Sequence, residues 1–530
     1  MIQRVSGRRR TRRLFVRFAR LQYASILLSL AASIVVAYGH AAASQSEERS
    51  APPNIVILYA DDLGYGDVSS YNPDRGKIST PNIDRLAREG MRFTDAHSSS
   101  GVCSPSRYTL LTGRYHWRSR LQSGIVGVFE EPLIAADRMT VGHLAQQRGY
   151  RTACFGKWHL GWDWPIPPDK MPLFRLPRNQ RGVQTTAEQV AAWREVFSQS
   201  IPGGPTTRGF HEYFGTDVPN WPPFCFIDND RTVGIPQELL PDRYFDAQPL
   251  MASQPGPAVE GWRFEPILPT ITRRACEFIR RCTGQGTPFL LYLPFTSPHE
   301  PLAVNSEWMG KSGLHIYADF VMETDHAVGE VLRALDDAGI SQNTLVIFTS
   351  DNGKAQYTGA AELERLGHYS SGPFRGYKAS AYEGGHRIPL IVRQPGKVVA
   401  GGVCPQLVHQ ADVFATLAEL LDISVPENAG EDSFSLLPLL RGEDRPIRTS
   451  AVSCNANGLP AIRDGRWKLI LSKNPELFDL LEDPGETTNL ADRYPERVSA
   501  MRALLEKLIV EGRSTPGPRQ KNDVKVRRYP

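Results

Sequence analysis

The sequence has no acidic residue before Glu47 and no Asp, Glu, Lys or Arg between Leu21 and Ser46. It has seven cysteines but no Cys-x-x-Cys pair, which argues against a zinc ribbon or a thioredoxin-type redox motif. It is not short of apolar residues: 41% of the 530 residues are hydrophobic and 22% charged, which excludes disorder as the main state. A single core stops growing at roughly 250 to 300 residues. The length therefore predicts a large α/β domain with insertions plus a smaller unit, or two domains. No internal repeat is evident.

The missing acids give the net charge its meaning. The formal charge is +4, from 61 Lys+Arg against 57 Asp+Glu. Residues 1–20 hold Arg4, Arg8, Arg9, Arg10, Arg12, Arg13, Arg17 and Arg20. The apolar stretch Ile26-Leu27-Leu28-Ser29-Leu30 follows, then a small-residue exit at Ala41-Ala42-Ala43. Together these predict a secretory signal peptide over residues 1–43, hence an exported product, periplasmic or secreted, that uses the export machinery. The uncharged run is also long enough to span a bilayer, so an uncleaved anchor is the alternative. Thr11-Arg12-Arg13-Leu14-Phe15 resembles a twin-arginine export signal. Cleavage would take the charge from +4 to −4, and with it any argument for nucleic acid as a partner.

The rest of the chain alternates strand and helix signals. Apolar runs at Asn54–Ala60, Tyr150–Phe155, Pro288–Leu293 and Thr344–Phe348 read as strands buried on both faces of a sheet. Helices are expected from Thr80-Pro81 to Glu89, with Thr80 as N-cap, from Thr140 to Gln147, and from about Ile316 to Leu335. Strands interleaved with helices imply an α/β fold with a βαβ sheet, and such sheets bind ligands outside the carboxyl ends of their strands. Each strand runs into a polar cluster: Asp61-Asp62, Gly156-Lys157-Trp158-His159, Ser297-Pro298-His299, and Ser350-Asp351-Asn352-Gly353. Any one cluster alone reads as an ordinary solvated turn. Four at one sheet edge read as a site.

Asp61, Asp62, Asp351 and Asn352 offer only oxygen ligands, which suits Ca²⁺ or Mg²⁺ and argues against Zn²⁺. Arg107, Lys157, Lys378 and the histidines His159 and His299 add positive charge and proton transfer. A hard cation with Arg and Lys around a pocket is what an anionic tetrahedral ester needs. The substrate class is therefore a sulfate, phosphate or phosphonate ester. Cys276 and Cys282 are about 9 Å apart along a probable helix, too far to bridge. Cys103 is the odd cysteine, placed just before a probable helix, where the dipole favours an anion or nucleophile.

Cys103-Ser104-Pro105-Ser106-Arg107, followed by Tyr108-Thr109-Leu110-Leu111-Thr112-Gly113-Arg114, resembles the signature of the type I sulfatases, in the alkaline phosphatase superfamily. In that family the cysteine is oxidised to formylglycine by a maturation enzyme. The resemblance, which includes arylsulfatases and N-acetylgalactosamine-6-sulfatase-like bacterial sulfatases, runs from Asn54 to about Leu490. It implies a large, mostly parallel sheet flanked by helices with a small C-terminal antiparallel sheet, Ca²⁺ (Mg²⁺ less so) held by Asp61, Asp62, Asp351, Asn352 and the modified Cys103, and catalysis by Arg107, Lys157, His159, His299 and Lys378. It implies that Lys157, Lys378 and Arg107 hold sulfate and diol, that His299 and Lys378 serve the leaving oxygen, and that His159 helps deprotonate the second hydroxyl. The blocks that carry it are Gly156–Gly161, Ser297–Pro301, Gly376–Pro389, Ala461–Leu469 and Glu476–Leu480.

The implied domains are a catalytic unit over 44–445, a C-terminal subdomain over 446–513 and a disordered tail over 514–530. One departure is Gly209-Phe210-His211, where the family often has Gly-Phe-Asp. A Pro- and Arg-rich insertion, 162–208, is expected to include a helix from Ala187 to Phe197 capped by Thr186 and to line the leaving-group pocket together with Val218–Pro223. Within that segment Asn220 and Trp221 are candidate substrate contacts, Trp221 by stacking on a sugar or by plain packing. The expected activity is hydrolysis of a sulfate ester on a small molecule or glycan, with an aryl sulfate as model substrate. The alternatives are a phosphate or phosphonate monoester hydrolase of the same superfamily, and an inactive sulfated-glycan-binding protein should Cys103 stay unmodified.

Overall fold

The computed structural model describes Met1 and residues 52–178, 182–246 and 253–529. The expected leader lies outside them. Among the described residues no helix is long and apolar enough to cross a membrane.

Every residue of the strand Asn54–Ala60 is buried. Successive side chains of a strand point to opposite faces. Ile55, Ile57 and Tyr59 accordingly join one apolar layer, and Val56, Leu58 and Ala60 the other. This strand sits inside a ten-stranded sheet, with Thr344–Ser350 parallel on one side and Phe289–Pro294 parallel on the other. Arg151–Lys157 and Glu212–Thr216 extend the parallel run outward. Leu390–Arg393 and Met91–Phe93 continue the opposite side antiparallel. The sheet is therefore mixed and mostly parallel, as expected. Register aligns the strand ends: Ala60 pairs with Ser350, Tyr59 with Pro294, and Lys157 with Thr216. Asp61, Asp351 and Ser297 consequently leave the sheet at one edge.

The helices Pro81–Glu89, Val141–Gln147 and Ile316–Asp337 form where expected. Thr80, however, does not cap the first of them with its side chain. The orphan N–H groups of Asn82 and Ile83 donate instead to Asp325, at 3.1 and 2.8 Å, from the neighbouring helix. Thr186 does cap Ala187–Phe197: it accepts from Gln189 N, and Gln189 Oε1 accepts from Thr186 N, a capping box. The strand expected to stop at Phe155 runs to Lys157. A β-carbon at Gly156 would meet Pro294 O at 1.9 Å, and one at Gly215 would meet Gly156 O at 1.9 Å. Bare backbone at these two positions lets three strands close together beside the lysine.

The small C-terminal sheet is a four-stranded antiparallel meander over Ser450–Cys454, Pro460–Asp464, Trp467–Ile470 and Glu476–Asp479. It is tied to the segment before Cys103. Cys454 N donates to Ser99 O at 2.9 Å, Gly101 N to Cys454 O at 2.8 Å, and Ser453 Oγ to Ser98 O at 2.6 Å.

The tail corrects the expectation of disorder. Residues 514–529 have little regular structure but pack as a strap. Arg114 and Arg118 are fully buried and need partners. The strap supplies Asp523 to Arg114, at 2.9 and 3.0 Å, and Asn522 Oδ1 to Arg118 at 3.1 Å, and it buries Val526. A composition rich in Pro, Lys and Arg hid this, because the demand for the strap arises four hundred residues away. Ending the chain at Arg513 should lower the free energy of unfolding by about 3 kcal/mol, because buried arginines lose partners. Urea titration of the truncated protein checks this, and an unchanged midpoint would restore the disordered tail.

Candidate active site

Each strand end delivers one part of the site. Asp61 and Asp62 follow the strand Asn54–Ala60, Asp351 and Asn352 follow Thr344–Ser350, and Lys157 closes Arg151–Lys157. Cys103 is the first residue of the helix Cys103–Thr112, all of whose residues are buried. Its Sγ, an oxygen each of Asp61 and Asp62, and a ring nitrogen of His299 lie within 4.8 Å of one another.

The charges interlock. Lys157 Nζ donates to Asp61 Oδ2 at 2.6 Å, and Lys378 Nζ to Asp62 Oδ2 at 2.7 Å. Arg107 Nη2 donates to Asp351 Oδ2 at 3.0 Å and lies 3.4 Å from Asp61 Oδ1, while its Nη1 donates to Lys157 O. Burial acts to raise the Asp61 carboxyl, but Lys157, His299 and Arg107 outweigh it and hold it well below the usual range. Burial, then the Asp61 charge, pushes Asp351 up to about 7. Burial lifts the Cys103 thiol to about 12 against the pull of Lys157 and Lys378.

The donor set fits a hard divalent cation. Asp61 Oδ1 and Asn352 Oδ1 are buried without any hydrogen bond. Such an orphan acceptor costs free energy unless a ligand takes it. Asn352 Nδ2 donates to Asp62 Oδ1 at 2.7 Å, which ties these two side chains together.

The two histidines are fixed by backbone. His159 Nε2 is 3.1 Å from Val126 O, so it carries the proton; Nδ1 is buried without a partner and is left as a free base. Burial, then Lys157 and Arg107, keeps the ring neutral. His299 Nδ1 is 2.6 Å from Glu300 O, which leaves Nε2 3.7 Å from Asp62. Three non-glycine residues here, Asp62, His159 and Ala379 beside Lys378, have φ of 62°, 54° and 74°. Backbone held in this region is costly and concentrates at functional sites.

The insertion behaves differently from a pocket wall. Its described part buries Trp162, Phe174, Trp193 and Phe197 in the core. It reaches the site through Trp162 Nε1, which donates to Asp217 Oδ1; the same oxygen accepts from His159 N. Trp221 packs edge-on to His159 with ring centroids 5.4 Å apart, and it is buried. It therefore packs against the histidine and presents no open stacking face. Asn220 sits beside it and donates to Glu300 Oε1 at 3.1 Å. His211, just before the strand Glu212–Thr216, bonds Thr152 of the neighbouring strand, a structural use.

Four residues near the site, Lys354, Tyr317, Glu300 and Tyr357, were not singled out from the sequence. Lys354 is buried, donates to Thr358 and lies 3.4 Å over the Tyr317 ring; burial lowers it to about 7. Tyr317 OH in turn donates to Asp62 O at 2.9 Å. Glu300 and Tyr357 stand at the rim and bond each other at 3.3 Å. Adjacency of Glu300 to His299 was the one available hint.

Oxygen donors crossed by lysines, at the carboxyl edge of a mostly parallel sheet, define an enzyme for anionic tetrahedral esters. A family model described as Sulfatase matches residues 53–423, and one described as N-sulphoglucosamine sulphohydrolase, C-terminal, matches residues 376–513. The N-acetylgalactosamine-6-O-sulfatase of Bacteroides thetaiotaomicron is 34% identical over 499 residues, covering 87% of this chain and 93% of the relative. Human arylsulfatase A is 31% identical over 545 residues, covering 94% and 93%. A solved structure from work on glycosaminoglycan metabolism by Bacteroides thetaiotaomicron has a TM-score of 0.75 at 32% identity, over 87% of this chain and 99% of that one. Ps i-CgsB in complex with a neocarrahexaose has a TM-score of 0.65 at 25% identity, over 89% and 95%.

The chain belongs to the sulfatase family. It is a sulfuric ester hydrolase, and neither the phosphate or phosphonate ester reading nor the non-enzymatic one is favoured.

The close strand packing beside Lys157 gives a test. Gly156 has φ 133°, and a methyl group there would strike Pro294 O. Gly156→Ala should cost about 3 kcal/mol or more of stability and lower turnover by displacing Lys157. Thermal unfolding with an activity assay checks both, and a normal midpoint would mean the strands are less tightly juxtaposed.

Proposed function

We propose that this sulfatase is an exported, Ca²⁺-dependent enzyme that removes sulfate from a glycan, using a formylglycine made from Cys103 by a maturation enzyme. The observation that carries the reading is the position of Cys103: first in its helix, in Cys-Ser-Pro-Ser-Arg, and beside Asp61, Asp62 and His299. The glycan is supported by relatives named as N-acetylgalactosamine-6-sulfatases and by a similar structure in complex with a neocarrahexaose. Export is supported by the arginine-rich, acid-free leader.

Asp61, Asp62, Asp351 and Asn352 would hold the cation, which supplies Lewis-acid stabilisation of developing negative charge. A hydrated formylglycine at position 103 would supply a hydroxyl nucleophile and a second hydroxyl whose deprotonation releases sulfate. Lys157 and Lys378 each carry three donors, so each can hold a sulfate oxygen while keeping contact with its carboxylate. Arg107 has its two terminal nitrogens on Lys157 O and the carboxylates, and its Nε is buried without a partner, a donor left for a ligand. Its main action is to hold Asp61 and Asp351 together. His159 Nδ1 takes the proton from position 103, because its Nε2 is fixed on Val126 O. His299 Nε2 and Lys378 serve the leaving oxygen, Nδ1 of His299 being committed to Glu300 O.

Cys103→Ser should be exported folded but lose at least about 1,000-fold in turnover of an aryl sulfate. Intact and peptide masses of the wild type should show residues 1–43 removed and the thiol at 103 replaced by an aldehyde. Near-normal turnover by the serine variant, or an unmodified thiol in active enzyme, would refute the formylglycine. Chelation should lower turnover at least about 100-fold, with Ca²⁺ restoring it. Metal analysis after dialysis is the check, and full activity in metal-free protein would refute the cation.

A further inference from the structure

A carboxylate at the rim of a cation-rich anion site is an anomaly. Glu300 follows His299 directly, and its backbone oxygen accepts from the His299 ring. The residue is only partly buried. It is also held in place. Asn220, 3% exposed, donates its Nδ2 to Glu300 Oε1 at 3.1 Å and to Ser253 Oγ at 2.7 Å. Tyr357 OH donates to the same Glu300 oxygen at 3.3 Å, while its residue remains 59% exposed. Both donors converge on Oε1. An ionised carboxylate has about four acceptor positions over its two oxygens, so the other oxygen retains capacity for a ligand. Glu300 O holds the ring of His299, whose Nε2 is 3.7 Å from Asp62, which places this rim beside the reacting centre.

We infer that Glu300, oriented by Asn220 and Tyr357, is a specificity-determining residue for the leaving group: it accepts a hydrogen bond from a hydroxyl or amide N–H of an uncharged sugar bearing the sulfate, with the Tyr357 ring as an apolar shelf beneath it. Glu300 touches the substrate; Asn220 is a positioning residue. An acceptor fixed by two donors selects for a donor on the substrate, and it repels a second anionic group at the same place. The preferred sugar therefore carries no carboxylate or second sulfate next to the scissile ester. An aryl sulfate presents neither the donor nor the second charge. The inference rests on the glycan sulfatase reading and adds its substrate class.

The test compares kcat/KM for a 6-sulfated N-acetylhexosamine, for its analogue with a second sulfate, and for an aryl sulfate. In Glu300→Gln the ratio of monosulfated sugar to aryl sulfate should fall about 10- to 100-fold, through loss of a charge-assisted hydrogen bond. Discrimination against the disulfated sugar should shrink in the same variant. Tyr357→Ala, at an exposed position that folding tolerates, should lower the sugar-to-aryl ratio about 5-fold. A structural role alone would leave one further readout unmoved: inhibition of aryl sulfate hydrolysis by the free N-acetylhexosamine should weaken in both variants. Unchanged ratios and inhibition in both variants, with wild-type metal content and thermal midpoint, would overturn the inference while leaving the sulfatase reading intact. A wild type that turns over aryl sulfate but prefers the disulfated sugar would overturn it too. If the wild type released sulfate from none of the three, the reading beneath it would fall as well.

Discussion

The structure turns on burying three carboxylates, Asp61, Asp62 and Asp351, at one sheet edge where almost no water reaches them. An isolated buried charge is untenable, so each must be compensated. Lys157, Lys378 and Arg107 do so, and they come from three separate parts of the chain. Formally the six charges cancel. Adding a divalent cation to the orphaned oxygens of Asp61 and Asn352 would turn the cluster positive. That excess is what an anionic ester needs, and under the proposed function the lysines that neutralise the carboxylates gain this second use.

This arrangement constrains the backbone around it. Flush strand ends require the register of the central pairs, and the approach of Arg151–Lys157 to both neighbours requires glycine at 156 and 215. Left-handed backbone turns the chain sharply at Asp62 and His159, just past two strand ends, and at Ala379 in the loop that carries Lys378. Such conformations persist only where surrounding structure fixes them. Here the fixing bonds are visible: Asp62 N donates to Asp351 Oδ1, His159 N to Asp217, and Ala379 N to Gly101 O.

What the sequence revealed follows from this logic. Apolar runs ending in Asp61-Asp62, Lys157, His299 and Asp351-Asn352 were readable because a buried strand has a strong local signature and its polar terminus is adjacent. The helix near Cys103 and the N-cap at Thr186 were local too, although the helix begins at Cys103 itself and the cap is a full capping box with Gln189. Interactions that depend on distant partners were not readable. Thr80 matches the pattern of a cap, yet Asp325, over 240 residues on, takes the helix amides. The tail reads as disordered by composition, yet Arg114 and Arg118 recruit it. Tyr357 lies in a loop whose approach to Glu300 only the fold decides. For Trp221 the residue type left sugar stacking and plain packing both open; the fold decides for packing, its edge against His159, while the exposed ring at the rim is Tyr357.

A second buried cluster shows why ligating residue types alone do not make a metal site. His97, Glu383 and His386 lie as close together as the first group. Their lone pairs, however, already face cations: Lys468 Nζ is 2.9 Å from Glu383 and 3.1 Å from His386 Nε2, and Arg387 and Arg463 hold Asp95 and Glu383. Burial opposes ionisation of Glu383, but Lys468, followed by His97 and Arg387, keeps it well below the usual carboxylate range. A divalent ion would have to displace buried ammonium and guanidinium groups that already neutralise Asp95, Glu383 and Glu486 in one network. The cluster is better understood as a joint. Lys468 belongs to the small C-terminal sheet, Glu383 and His386 follow the segment carrying Lys378, and Ser98 N donates to His386 O just before Cys103. Detaching that sheet would leave Glu383 and Glu486 buried without their lysine. The C-terminal unit is thus part of the active-site wall, and the two clusters divide the work: one keeps open valences for chemistry, and the other closes its own to hold the first in place.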